Sequence, residues 1–104
     1  MASNTPPEWM RKIQHHNPEF ADMFNNLNTK ILRDGAIPAK YKILMTMIVD
    51  AIMAHSTGCA ALANRARAAG ASEAEINEAI EVAFLFGGTP ALVTAANAFI
   101  SDNT

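Results

Sequence analysis

Apolar residues recur every three or four positions along most of the chain, and nowhere does an apolar–polar alternation persist. That spacing lines one face of a helix, whereas a half-buried strand needs a period of two. Glu8 to Gln14 predicts one or two helical turns, with Trp9 and Ile13 four apart on one side. Asn17, Pro18 and Glu19 make a helix start: a capping side chain, a proline for the first turn and an acid at the positive dipole end. Phe20, Met23, Phe24, Leu27, Ile31 and Leu32 follow at helical spacing, with Gly35 as the expected stop.

A further helix is expected from about Pro38. Ile43, Leu44, Met47, Ile48, Ala51 and Ile52 form one stripe, and Met45, Val49 and Met53 form a second. A helix apolar on two sides belongs at the centre, with one face on its own core and the other on another subunit. The small and polar run His55-Ser56-Thr57-Gly58-Cys59 interrupts it. Ser56 or Thr57 is the expected cap of the next helix, which runs through Ala60, Leu62, Ala63, Ala66 and Ala69 to a left-handed stop at Gly70. Ser72 and Glu75 have capping-box spacing. Ile76, Ala79, Ile80, Ala83 and Phe84 carry that helix to Gly87-Gly88, and Thr89 and Pro90 open a last one ending near Ser101. The fold class is all-α, with about five to six helices. Residues 1–7 read as a polar arm and residues 8–104 as one helical domain.

Composition sharpens this reading. The 104 residues are 50% hydrophobic and 17% charged, more apolar material than one small helical subunit can cover, so an oligomer is expected. A net charge of −2 with no basic block gives no footprint for a phosphate backbone, so no nucleic-acid partner is expected. The apolar run from Ile43 to Ala54 is interrupted by Thr46 and Asp50 and is shorter than the ~20 residues of a membrane span. No membrane partner is expected. With one cysteine, Cys59, and no visible secretory signal, a reducing, cytoplasmic address is the simplest expectation.

Candidate chemistry gathers around the broken stripe. His55 and Cys59 lie four apart, on one face if the chain is helical across them. If a helix instead begins at Ser56, Cys59 falls in its first turn, where the dipole would lower a thiol's pKa. His55 could activate that thiol or act alone as a general base near neutral pH. The plainer alternative is a buried, inert cysteine beside a histidine at a helix junction. Asp50, in an otherwise apolar helix, needs a partner. It is either an orienter or second acid/base group for His55, or half of an inter-subunit salt bridge to Arg65, Arg67 or a lysine. Tyr41 could bring a phenol to the same pocket. His15 and His16 lack further ligands at metal spacing and read as a solvated helix end. Glu73, Glu75, Glu78 and Glu81 read as a solvated face with capping duty. Neither a metal nor a cofactor is expected.

Two motifs carry a resemblance. Gly70-Ala71-Ser72-Glu73-Ala74-Glu75-Ile76-Asn77-Glu78-Ala79 resembles the turn-and-helix of the carboxymuconolactone decarboxylase and alkylhydroperoxidase-D-like family. Phe86-Gly87-Gly88-Thr89-Pro90-Ala91 is similar to the helix junction that follows it in small single-domain members. The resemblance spans roughly residues 17 to 100. It implies the alkylhydroperoxidase-D-like helical fold, assembly as a homotrimer or homohexamer, and pockets near subunit contacts. It also implies one of two chemistries: a Cys-x-x-Cys peroxidase relay with a nearby histidine and acid, or cofactor-free decarboxylation of a carboxylated lactone.

Aligned on Gly70, the two redox-cysteine positions fall on His55 and Gly58. The family histidine falls on Leu62, and the upstream acid near Lys42 or Ile43. A dithiol relay needs two sulfurs, so this chain departs from the peroxidase pattern. The leading expectation is a cofactor-free acid/base enzyme on a small-molecule carboxylate or lactone, using His55, Cys59 and Asp50. A non-catalytic binding or structural oligomer is the alternative, and a one-cysteine peroxidase with an external thiol is the third.

Overall fold

A computed structural model describes residues 6–100 and is helical throughout, with no strand among those residues. Met1 to Thr5, most of the expected arm, lie outside the described residues, as does Ser101. Residues up to Asp34 and residues from Gly35 onward form two compact units.

The first unit is a helical hairpin of α1 (Glu8–His16) and α2 (Pro18–Leu32). α1 runs two residues further than the sequence suggests. Asn17 serves both helices: its N–H donates to the Ile13 carbonyl at 2.7 Å, and its side-chain oxygen accepts from the Phe20 N–H at 3.3 Å. Pro18 occupies the first turn, where its missing donor costs nothing. Trp9 meets Phe24 edge to face, with ring centroids 6.0 Å apart. α2 ends three residues before Gly35, because Arg33 already takes an extended conformation (φ −72°, ψ 161°). The glycine is not the left-handed stop expected there.

The second unit is built on α3 (Ala39–Ile52), α4 (Ser56–Ala68) and α5 (Glu73–Ala95), closed by a 3-10 turn over Ala96–Ala98. Ile43, Leu44, Met47 and Ala51 of α3 are buried. They face Cys59, Ala63 and Ala66 of α4 and Ile76, Ala79, Ile80 and Ala83 of α5. Met47 and Ile76 are the largest fully buried side chains, followed by Cys59. Burying each contributes about 1.5–3 kcal/mol. The small residues on α4 and α5 let the helices approach closely.

Gly70 (φ +104°) stops α4, and the Ser72–Glu75 capping box starts α5 with both reciprocal bonds formed, at 2.9 and 3.0 Å. Glu75 does more than cap. Its carboxylate also takes the Lys40 ammonium at 3.1–3.2 Å and the Tyr41 hydroxyl at 3.0 Å, tying the start of α5 to the start of α3. At the other end of the pair, a Cβ on Gly87 would come within 2.5 Å of the Ala91 Cβ and 3.1 Å of Ile52 Cγ1, so only glycine fits there. One residue on, Gly88 (φ 69°, ψ −163°) breaks the helix in a conformation closed to other residues. The sequence places this junction correctly. The final helix stops sooner than expected, at Ala95, and Arg67 holds the following turn through the Ala98 carbonyl at 2.7 Å.

The stretch 73–98 is the one segment among the described residues long and apolar enough to cross a bilayer. The shorter run 43–54 considered from sequence is therefore not the strongest such segment. The features of 73–98 suit a core helix: a break at Gly88, four glutamates in its first turns and a buried stripe against α3.

Candidate functional site

The α3–α4 junction holds the candidate site because of how α3 ends. The His55 N–H donates to the Asp50 carbonyl at 2.8 Å, and the Ala54 N–H donates to the Ala51 carbonyl at 3.3 Å. This is a Schellman closure, with Met53 as the cap and Ala54 (φ +64°) in the left-handed position usually taken by glycine. The closure returns residue 55 over residue 50. With their backbones so joined, the side chains meet as well: His55 Nδ1 lies 3.0 Å from Asp50 Oδ1.

An ionised carboxylate only accepts, so Nδ1 is the protonated nitrogen of this pair and Nε2 keeps a lone pair. The His55 side chain is 54% exposed while that of Asp50 is 23% exposed, so the imidazole is open and the carboxylate is sheltered. Thr46, one turn before Asp50, turns its hydroxyl back to the Ile43 carbonyl at 2.6 Å. Arg67, one of the cations considered for Asp50, grips Glu73 in a bidentate pair at 2.7 and 2.8 Å, which raises its own pKa and lowers that of Glu73.

α4 begins at Ser56, with His55 in the capping position and no side-chain cap, so neither Ser56 nor Thr57 plays the role expected of them. Cys59 does sit in the first turn, and its N–H donates to the His55 carbonyl at 2.8 Å. The expected acidification fails. Cys59 is 0% exposed, and burial, followed by the negative charge of Asp50, pushes its thiol pKa up. Desolvation outweighs the helix dipole here, as it does for thiols in apolar surroundings.

Tyr41 is also absent from this group. It lies nine residues before Asp50, at the opposite end of α3 and ~13 Å away along the axis, bonded to Glu75. There the Ser72 N–H, Lys40 and Tyr41 together hold the Glu75 carboxyl down at about 2. The Lys40–Tyr41–Glu75 cluster is not legible in the sequence because Glu75 lies more than thirty residues from the other two. Gly58 and Ala54 were missed too. A glycine in the first turn of a helix is a signal that something approaches closely, whereas nothing in the sequence marks Ala54 as left-handed. His15 and His16 stack edge to face on one another at 4.9 Å, and among the described residues no three His, Cys, Asp or Glu side chains are placed to hold a metal ion.

Fold and junction together define an all-α helical protein that presents a carboxylate-bonded imidazole between two helices. A model of the carboxymuconolactone decarboxylase family matches residues 18–100, and the chain belongs to that family. It is similar to a crystal structure of a candidate carboxymuconolactone decarboxylase from Burkholderia xenovorans LB400. The two are 28% identical with a TM-score of 0.81, over 89% of this chain and 74% of that one. No curated protein matches the chain.

Proposed function

We propose that this protein is a cofactor-free enzyme that performs acid/base chemistry, decarboxylation or isomerisation, on a small lactone or carbonyl acid. The Asp50–His55 hydrogen bond carries this reading. With Nδ1–H held by the carboxylate, Nε2 is the nitrogen that removes or returns a proton, and Asp50 stabilises the imidazolium formed in between. In a decarboxylation Nε2 takes the carboxyl proton, the carboxyl carbon departs as CO2, and its bonding pair remains on the carbon beside the carbonyl as an enolate. The imidazolium then returns a proton to that carbon.

Family membership and the likeness to the Burkholderia structure support the substrate class. Cys59 is a packing residue in this scheme, and its buried, weakly acidic thiol argues against a one-cysteine peroxidase. The test is turnover of carboxylated lactones by the wild type, His55→Ala and Asp50→Asn. Loss of at least a hundredfold in the histidine variant is expected, within the usual range for general acid–base catalysis of ~10²–10⁴. Turnover unchanged in His55→Ala would sink the assignment.

A second reading, a non-catalytic oligomer, shares one observation with the first. Met45, Val49 and Met53, the second stripe of α3, remain exposed, as do Val82 and Phe86 of α5. Only 33% of the most apolar part of segment 73–98 is buried within the chain. We take these faces as subunit contacts, in a trimer or hexamer, under either reading. Sedimentation reporting a monomer at micromolar concentration would refute that assembly.

A further inference from the structure

We propose that Gly58 is a positioning residue for the Asp50–His55 pair, and that the space left by its missing side chain is the seat of the Asp50 carboxylate. Gly58 stands in the first turn of α4, where glycine is a poor helix former beside alanine. Its backbone gives no reason for the choice, since Gly70 and Gly88 are the glycines with positive φ among the described residues. Space does give one. A Cβ at position 58 would collide with Asp50 Oδ2 and lie 3.1 Å from Asp50 Cγ, while the His55 Cβ, at 3.6 Å, would be in ordinary contact.

The collision is with the tip of one short side chain, so the fold can absorb it by turning the carboxylate away. Asp50 Oδ2 and Oδ1 belong to one rigid carboxylate. Displacing the first therefore moves the second off His55 Nδ1, which it meets at 3.0 Å. A single methyl group at residue 58 thus releases the imidazole without touching it. This inference rests on the acid/base reading only for its catalytic importance, since the geometry it asserts is independent of any reaction.

The test reads the ring directly. Imidazole 15N shifts of His55, taken at alkaline pH where the ring holds a single proton, are expected to show the Nδ1–H tautomer in the wild type. In Gly58→Ala they should move toward the Nε2–H form, by the same amount as in Asp50→Ala. A folded Gly58→Ala protein whose tautomer matches the wild type overturns the proposal. Thermal melts supply a second arm. Alanine at 58 should raise Tm more in the Asp50→Ala background, where the seat is empty, than beside Asp50, and equal shifts in the two backgrounds overturn it. Should Gly58→Ala alone fail to fold, recovery on adding Asp50→Ala supports the proposal, and failure to recover refutes it. Neither readout needs turnover, so an inactive wild type would count against the enzymatic reading and leave this one standing.

Discussion

Ala54 stands at the hinge of the site in a conformation that L-residues avoid, and replacing it with glycine should stabilise the protein. A left-handed backbone costs a residue with a Cβ roughly 1–2 kcal/mol, and Ala54 sits at φ +64°. Glycine removes that cost but loses more chain entropy on folding, about 0.5–1 kcal/mol. The net gain is therefore on the order of 0.5–1 kcal/mol. For a domain of this size 1 kcal/mol moves Tm by roughly 4–8 °C, so Ala54→Gly should melt about 2–8 °C higher. Its urea midpoint should rise with the slope unchanged. Ala54→Val makes the opposite control, because a branched Cβ worsens the same crowding. The melts need matched protein concentration, since an oligomer's Tm depends on it. A glycine variant no more stable than wild type, with both Schellman hydrogen bonds intact, would refute the claim that residue 54 is strained. A stabilised variant invites the next comparison: the strain holds His55 against Asp50, and strained backbone at such sites commonly trades stability for geometry.

The remaining predictions concern the rest of the second unit. Glu75, held down at about 2 from an ordinary 4.5, contributes stability that is complete above about 4.5 and is lost as pH falls through about 2. Glu75→Gln should flatten the pH dependence of the urea midpoint across that window, and an unchanged acid limb would contradict the clasp. Cys59 should resist alkylation in the folded protein at pH 7 and react along the urea unfolding curve, whereas rapid labelling of native protein would place the thiol at the surface. Gly87→Ala should cost about 1–3 kcal/mol from overpacking against Ala91 and Ile52, which a lowered urea midpoint would report.

The parts of this fold legible in the sequence are those written in local chemistry. Asn17-Pro18, Gly70 and the Ser72–Glu75 box each fix a helix end through atoms within four residues of one another, so one stretch of chain carries all the information. The all-α class and the Gly87-Gly88 junction were readable for the same reason. What failed depended on surroundings. Gly35 looks like a stop, but the chain leaves the helix at Arg33. Cys59 has the position of an acidified thiol, yet burial and the nearby charge of Asp50 push its pKa up. For the candidate site, the sequence sets residues 50, 55 and 59 close together and offers His55 as one of two kinds of partner for Asp50, and that contact is present. Its means of support, a left-handed alanine and a vacant Cβ position, lies in backbone geometry that residue types alone do not encode.

The clasp at one end of α3 and α5 and the tight glycine contact at the other make these helices a matched pair of rulers. Twelve residues separate Lys40 from Ile52, and twelve separate Glu75 from Gly87, ~18 Å in each case at 1.5 Å per residue. Both fastenings close only if both lengths agree. A one-residue insertion or deletion in either helix would shift the second contact by 1.5 Å and about 100° around the axis, so changes of length should be tolerated in the Ala69–Ser72 turn and rejected in the helices. The site at the end of α3 inherits that constraint, because its distance from the Glu75 anchor is fixed by a helix that cannot change length alone.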